Sequence, residues 1–182
     1  DIAYAVGEHS LSSVGWGVGF LDYDNDGRLD VFVANGSTFE EPEDTTRLKT
    51  LENFLFRNQG ARRFVLANDV TGEVWKTGNV GRGASYADYD NDGDLDILIL
   101  AHGEGVRLLR NEGGNKKNWL TLDLEGPSGN RQAVGAKVVV SAGGTTQLGG
   151  VVVGSSYLSM NDTRPHFGLG DSELADWVEI RW

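Results

Sequence analysis

The hydrophobic residues of this chain fall in short runs, and polar, glycine-rich stretches separate one run from the next. Runs such as 29–34 (LDVFVA) and 95–101 (LDILILA) are rich in β-branched and other apolar residues, which favour strands. No long segment shows the periodicity of an amphipathic helix, and we expect at most a short helix around residues 172–175. The pattern therefore predicts an all-β fold of short strands joined by tight turns.

The strand pattern occurs twice along the chain. Gly15–Gly36 aligns with Gly81–Gly103, which places their aspartate-rich loops 66 residues apart. A second shared element, LFRNQG at 55–60 and LLRNEG at 108–113, is offset by 53 residues. The difference of 13 residues indicates an insertion in the first copy, which we assign to the polar segment 39–51.

Each copy predicts four strands, and a repeat of four strands is typical of a β-propeller blade. We place the blades at residues 15–67 and 81–124, and we assign residues 1–117 to a first domain of such repeats. Residues 118–182 predict a small antiparallel β module that packs on the last blade, with strands near 136–142, 147–153, 166–169 and 177–182. Because two blades do not close a ring, we expect the remaining blades in the same parent chain or in another subunit.

The chain carries a formal net charge of −11, from 27 acidic residues and 16 lysines and arginines. Binding to nucleic acid needs a basic face, so this balance argues against a nucleic-acid partner. No apolar run approaches the length of a membrane span, and the absence of cysteine excludes disulfides and thiolate chemistry. The acidic excess is compatible with bound divalent cations, and ordinary solubilising surface charge explains it equally well.

Two loops of identical design concentrate the acidic side chains: loop 1 (residues 22–30, DYDNDGRLD) and loop 2 (residues 88–96, DYDNDGDLD). Aspartates occupy loop positions 1, 3, 5 and 9, a glycine at position 6 permits a sharp turn, and the position-7 carbonyl can add an oxygen. Oxygen ligands without histidine or cysteine favour Ca²⁺ over Mg²⁺ or Mn²⁺. We therefore predict two structural Ca²⁺ sites, formed by Asp22, Asp24, Asp26, Arg28 (carbonyl) and Asp30 in loop 1 and by Asp88, Asp90, Asp92, Asp94 (carbonyl) and Asp96 in loop 2.

The loops are not those of EF-hands. An EF-hand has a bidentate glutamate at position 12, where this chain has Val33 or Ile99, and here the flanking segments are strands rather than helices. The alternative interpretation is a pair of Asx-type turns whose carboxylates are solvated. Two such loops at equivalent positions of a repeat favour the metal-site interpretation.

The motif GxGxxxxDYDNDGxxD of both copies resembles the FG-GAP/VCBS repeats of integrin α-subunit propellers and of bacterial surface proteins. NWLTLDLEG at 118–126, GSSYLSMNDTRPHFGLG at 154–170 and ADWVEIRW at 175–182 are similar to the ASPIC/UnbV module. That module follows such repeats in proteins of the cartilage acidic protein type and their bacterial relatives. The resemblance implies two blades of an FG-GAP-type β-propeller in a secreted or cell-surface protein, with calcium-stabilised loops and a role in cell adhesion or protein–protein interaction.

One polar cluster outside the loops has residue types found in binding sites, namely Asn161, Asp162, Arg164 and His166. We favour a structural turn, in which Asp162 caps backbone amides and Arg164 pairs with a carboxylate. Contact of these four residues with a ligand or glycan is the alternative.

Together the sequence predicts a calcium-binding extracellular interaction or adhesion module without enzymatic activity. Its expected partner is a protein or a glycan at the cell surface. Carbohydrate binding is the alternative function, and an exposed tryptophan beside a loop would support it. A metal-dependent enzyme or a biosynthetic accessory protein is less favoured, because a catalytic metal needs open positions beside a base and the sequence shows none.

Overall fold

The computed structural model of the chain describes residues 6–113 and 116–182 and is all-β, which confirms the predicted fold class. Residues 1–5 and 114–115, which the first predicted domain includes, lie outside this described part. The strands in chain order are β1 (Gly15–Leu21), β2 (Asp30–Asn35), β3 (Glu40–Glu41), β4 (Asp44–Leu48), β5 (Phe54–Asn58), β6 (Phe64–Leu66), β7 (Gly81–Ala87), β8 (Asp96–Ala101), β9 (Gly105–Leu109), β10 (Asn118–Thr121), β11 (Lys137–Ala142), β12 (Thr145–Gly150), β13 (His166–Gly170) and β14 (Trp177–Arg181). Helical structure is limited to short pieces, among them α1 (Gly7–Ser10), α2 (Asn68–Thr71) and a 3₁₀ turn at Glu73–Lys76.

The first repeat forms a four-stranded antiparallel sheet in the order β1-β2-β5-β6, the arrangement of a propeller blade. All four strands predicted for this copy are present. The insertion forms a separate hairpin, in which β3 pairs with β4 outside the blade. The side chains of β4 are mostly exposed, as expected for an insertion on the surface.

Within the described residues, the second repeat contributes a three-stranded sheet in the order β7-β8-β9. The predicted blade bounds of 81–124 place a fourth strand at the end of this blade. That prediction is wrong, because the chain there forms β10 and pairs with β13 of the C-terminal module. Hydrophobic packing explains the difference. Leu120 and Leu122 contact the module core, which is built around Val138, Val140 and Phe167. Strand β9 is therefore left at the outer edge of its sheet.

The C-terminal module combines the β10-β13 pair with an antiparallel sheet in the order β12-β11-β14. Gly143 and Gly144, with φ angles of 54° and 79°, form the two-residue turn between β11 and β12. This turn type needs positive φ at both central positions, which glycine adopts without steric cost. The short helix expected at 172–175 is wrong; the segment forms bends that lead directly into β14, where the Asp176 amide donates to the Ser141 carbonyl at 2.7 Å.

The two blades pack face to face, and this packing brings their loops together. Phe32 and Leu55 of the first blade share a buried cluster with Ala84, Ile97 and Ile99 of the second. Each large side chain buried in this way contributes about 1.5–3 kcal/mol to the free energy of unfolding. Strands β1 and β7 run in the same direction, since Gly17 faces Ala84 and Gly19 faces Tyr86. Loops 1 and 2 directly follow these strands, so both begin at the same end of this interface.

Close approach of the two inner strands depends on a glycine of the first GxG motif. A Cβ atom added to Gly17 would lie 2.7 Å from both the Cβ and the backbone nitrogen of Ala84. No side chain fits between β1 and β7 at this point.

None of the described helices has the length and apolar character needed to cross a lipid bilayer.

Candidate metal centres

Each loop is a tight connection between two antiparallel strands of its blade. The strand pairs Leu21–Asp30 and Ala87–Asp96 close the two loops at their base. Positions 4 and 6 of both loops have positive φ, with values of 53° and 85° in loop 1 and 58° and 94° in loop 2. Asparagine tolerates this conformation better than most residues, and glycine adopts it freely. The DxDNDG sequence therefore bends the chain back around its own carboxylates.

The position-1 carboxylates bind the backbone of their own loops. Asp22 accepts hydrogen bonds from the amides of Asp26 and Gly27 at 3.0 and 2.8 Å. Asp88 accepts the equivalent bonds from Asp92 and Gly93 at 3.1 and 3.0 Å. The same contacts in both repeats show that position 1 organises the turn.

The position-9 carboxylates are held by the second shared element, whose role the sequence alone did not reveal. Asp30 accepts a hydrogen bond from the Asn58 amide at 2.7 Å, and Asp96 accepts one from the Asn111 amide at 2.7 Å. The Asn58 side chain also donates to the Leu29 carbonyl at 2.9 Å. The sequence does contain a sign of this role. LFRNQG recurs as LLRNEG, so each repeat has both an aspartate loop and the asparagine that supports it.

Three of the four predicted carboxylates converge in each loop. One oxygen from each of Asp22, Asp24 and Asp30 lies within 4.8 Å of the others, and Asp88, Asp90 and Asp96 form the same group in loop 2. The position-5 side chains, Asp26 and Asp92, instead accept hydrogen bonds at 3.0 Å from the position-7 amides. Their role as ligands stays a prediction, as does that of the carbonyls of Arg28 and Asp94.

Burial makes the ionised form of these carboxyl groups unfavourable. Together with the neighbouring loop carboxylates, it raises the pKa of Asp22 to about 7 and that of Asp30 to about 8, although backbone hydrogen bonds lower both. Burial also raises the pKa of Asp24 and of Asp96. One oxygen of Asp24, Oδ1, is buried and has no hydrogen-bond partner. The loops therefore hold more buried negative charge than their own hydrogen bonds compensate.

This arrangement fits a hard divalent cation. Carboxylate oxygens bind Ca²⁺ at about 2.3–2.6 Å, so two ligands of one ion lie up to roughly 5 Å apart. The oxygens of each group lie within 4.8 Å of one another, and each group could hold a metal ion. Such an ion would be held in loop 1 by Asp22, Asp24 and Asp30, and its charge would favour their ionised forms.

The segment 161–170, called the strap below, contains the predicted polar cluster and crosses both loops. At its first end, the Tyr86 amide donates to Asn161 Oδ1 at 3.1 Å and the Asp162 amide donates to the Tyr86 carbonyl at 3.2 Å. Arg164 donates through Nη2 to the Asp88 carbonyl at 3.0 Å and through Nη1 to Asn91 Oδ1 at 2.9 Å. This half of the strap is therefore attached to loop 2 and to the strand before it.

The second half of the strap is attached to loop 1 through Asn25. His166 Nε2 lies 2.7 Å from Asn25 Oδ1, and the Gly170 amide donates to the Asn25 carbonyl at 2.9 Å. The pKa of His166 is lowered to about 4 by burial and by Arg164, so the ring is neutral at pH 7. Because Asn25 Oδ1 can only accept, Nε2 carries the proton, and Nδ1 accepts from the Thr121 hydroxyl at 2.9 Å.

Asn25 also joins the two loops directly. It is fully buried, and its Nδ2 donates to the Gly93 carbonyl of loop 2 at 2.9 Å. Asn111, from the second repeat, donates to the Tyr23 carbonyl of loop 1 at 2.7 Å. The loops and the strap thus form one hydrogen-bonded unit.

The strap makes the contacts expected if its polar cluster is a structural turn. Asp162 accepts from the Arg164 amide and from Arg164 Nε, at 2.9 and 2.8 Å. Asp162, Arg164 and His166 also line a cleft of about 380 Å³ beside the position-1 carboxylates. Binding of a ligand or glycan by these residues and Asn161 stays a prediction.

The raised pKa values predict how stability depends on pH in metal-free protein. A carboxyl group whose pKa is higher in the folded state favours folding while it is protonated, and this contribution is lost as pH rises from about 4 towards 8. The melting temperature in chelator should therefore fall between pH 5 and pH 8, and the stabilisation by a divalent cation should increase over the same range. Thermal unfolding across this range measures both.

The variant Asp30→Asn provides the control for this pH dependence. It removes the carboxyl group with the higher pKa, so its metal-free melting temperature should decrease less as pH rises. A metal-free melting temperature that increases steadily from pH 5 to pH 8 in the unaltered chain would contradict the raised pKa values of Asp22 and Asp30.

Comparison with known proteins places these features in a family. Residues 22–99 match the FG-GAP-like repeat, and residues 126–182 match the family described as ASPIC and UnbV. Cartilage acidic protein 1 of Xenopus tropicalis, of Mus musculus and of Homo sapiens is each 32% identical over 168 residues, which is 88% of this chain. The chain spans 24% of the length of these curated relatives. The chain therefore carries an FG-GAP-like repeat followed by an ASPIC and UnbV domain.

Proposed function

We propose that this chain is a calcium-stabilised interaction module of an extracellular protein, with one Ca²⁺ in each aspartate loop. The observation that carries the proposal is the convergence of three carboxylate oxygens at equivalent positions of two repeats. Four of these six groups, Asp22, Asp30, Asp88 and Asp96, are buried. Carboxylates buried so close together are unfavourable unless a cation compensates their charge.

Calcium suits the loops better than other hard cations. Ca²⁺ takes six to eight oxygen ligands in flexible geometry, whereas Mg²⁺ demands a regular octahedron and usually keeps several waters. Asp26 and Asp92, together with the position-7 carbonyls, would complete the coordination. Extracellular calcium modules bind with dissociation constants of about 0.1–1 mM, which matches the calcium supply outside cells.

We propose that the metal has a structural role and that the chain is not an enzyme. The position-1 and position-9 carboxylates accept backbone hydrogen bonds as well as facing the site, so they are fixed parts of the turn. His166, the histidine that contacts loop 1, is buried and held between Asn25 and Thr121. It is not placed as a base beside an open metal position.

Removal of calcium should lower the melting temperature of the chain. A site occupied at 100 times its dissociation constant stabilises the fold by about 2.7 kcal/mol. Calorimetric titration should detect two Ca²⁺ sites, and EDTA should reverse the thermal stabilisation. The double variant Asp24→Asn/Asp90→Asn should lose most of the calcium response, because it removes the position-3 carboxylate from each group.

Asp171→Asn is the matched control for this experiment. The Asp171 side chain is 90% exposed, pairs with Lys117 and belongs to neither acidic group. Its calcium response should equal that of the unaltered chain. No heat of calcium binding, together with an unchanged melting temperature in EDTA, would exclude the proposed function.

The interaction surface that we propose is the open face, formed by Leu98 and Leu100 of β8 and by Val106 and Leu108 of β9. These side chains are between 41% and 60% exposed and face one another as cross-strand pairs. Four apolar side chains on one sheet face form a contiguous patch of the kind that marks an interaction site.

The first repeat indicates what covers the open face. Leu98, Leu100 and Leu108 correspond in the repeat to Phe32, Ala34 and Leu55. In the first blade these three residues are at most 2% exposed, because they pack against the second blade. We therefore propose that another blade of this repeat type covers the open face, supplied by the parent chain or by another subunit.

Thiol labelling tests this assignment, and the unaltered chain gives no background because it has no cysteine. Leu98→Cys and Leu108→Cys should react rapidly in this chain and should be protected in a longer protein that carries further repeats. Leu174→Cys, at a side chain that is 79% exposed in the C-terminal module, should react in both proteins. Equal reactivity of the Leu98→Cys and Leu108→Cys thiols in both proteins would contradict the assignment.

Carbohydrate binding is a second candidate function, which the position of Trp119 favours. The Trp119 ring lies against loop 2, where a Cβ atom on Gly93 would come within 2.1 Å of it, yet the residue is 39% exposed. Glycan-array binding that is lost in Trp119→Ala and retained in Trp182→Ala would support this function. Absence of any binding by the unaltered chain in calcium would count against it.

A further inference from the structure

The second shared element, LFRNQG at 55–60 and LLRNEG at 108–113, is called the RN element below. Each aspartate loop is contacted by an arginine from the RN element of its own repeat. Arg57 Nη2 lies 2.7 Å from Asp24 Oδ2 and 3.8 Å from Asp26 Oδ2. Arg110 Nη2 lies 3.0 and 3.9 Å from the same atoms of Asp90 and Asp92. The two arginines correspond in the repeat, and their distances to positions 3 and 5 agree within a few tenths of an ångström.

The presence of this arginine–aspartate pair in both repeats distinguishes it from ordinary surface ion pairs. Loop 1 has a further ion pair between Arg28 and Asp26, but loop 2 has Asp94 at the position of Arg28. That pair is therefore specific to one loop, whereas an arginine next to position 3 is present in both. Half-exposed ion pairs contribute little to stability by themselves. A gain in stability alone therefore explains poorly why the same pair occurs in both repeats.

In loop 1 the arginine occupies one oxygen of the position-3 carboxylate and leaves the other for a cation. Oδ2 of Asp24 pairs with the guanidinium of Arg57, while Oδ1 is buried without a hydrogen-bond partner. Asp24 belongs to the group whose oxygens converge. The guanidinium thus fixes the carboxylate and lies at the edge of the site.

We propose that Arg57 and Arg110 are positioning residues that act as built-in counter-cations for the metal-free loops. This inference rests on the proposed calcium binding. An arginine beside these carboxylates is attracted more strongly before a divalent cation enters than after, because the cation cancels two of the negative charges of the loop. The arginine therefore stabilises the metal-free loop more than the loaded loop. It keeps the loop folded without calcium and lowers its calcium affinity.

The single variants Arg57→Gln and Arg110→Gln test this role. Each should bind Ca²⁺ at its own loop about tenfold more tightly, the size expected for a unit charge roughly 6 Å from a divalent ion at near-aqueous dielectric. Each should also melt at a lower temperature than the unaltered chain in EDTA, and close to it in saturating calcium. Calorimetric titration and thermal unfolding of the whole chain measure the two effects separately.

Two further variants separate charge from geometry. Arg57→Lys keeps the charge, so its calcium affinity should stay near that of the unaltered chain. Arg181→Gln breaks an exposed pair with Glu179 outside the loops and should change neither affinity nor the calcium dependence of melting.

Weaker calcium binding by the glutamine variants would overturn the proposal, because the arginines would then be aids to binding. Unchanged affinity with equal destabilisation in EDTA and in calcium would also overturn it, leaving ordinary structural ion pairs. If the unaltered chain binds calcium, these results leave the proposed function intact. An unaltered chain that binds no calcium would overturn both proposals.

Discussion

Carboxylate crowding at the junction of the two blades is the constraint from which the surrounding structure follows. Within nine residues, loop 1 places four aspartates and loop 2 places five, and each loop buries at least two of them. Three kinds of group partly compensate their charge: the backbone amides of the loop, the backbone amide of the asparagine in the RN element, and the neighbouring arginine. The charge that these groups leave uncompensated is the physical basis of the proposed cation sites. Both the loop and the RN element recur in the two repeats, although the insertion changes the spacing between them.

The same junction connects the propeller-type repeats to the ASPIC and UnbV domain. Asn25 bonds to Gly93 of the other loop and to His166 of the strap, and Arg164 bonds to loop 2. The C-terminal module is therefore attached to the blades through the two acidic loops. A cation that fixes the loops would also fix the surface on which the strap lies, and would hold the open face in a defined position.

Local signals in the sequence were sufficient for the features that depend on nearby residues. The DxDNDG turns, the strands beside them and the glycine turn at Gly143 were all predictable from propensity and spacing. Contacts between distant residues were not. The Asn58 amide reaches Asp30 across 28 residues, and His166 reaches Asn25 across 141. Strand β10 shows why: its apolar residues suit either the edge of β9 or the module core, and tertiary packing decides between them.

Backbone hydrogen exchange with and without calcium tests most directly whether the loops and the strap form one metal-dependent unit. The amides of Gly27, Gly93 and Gly170 report on loop 1, loop 2 and the strap respectively, and each is hydrogen-bonded in the structure. If the three segments respond as one unit, calcium will slow exchange at all three positions together. Slowed exchange in the loops with unchanged exchange in the strap, or no change at any of them, would contradict this coupling.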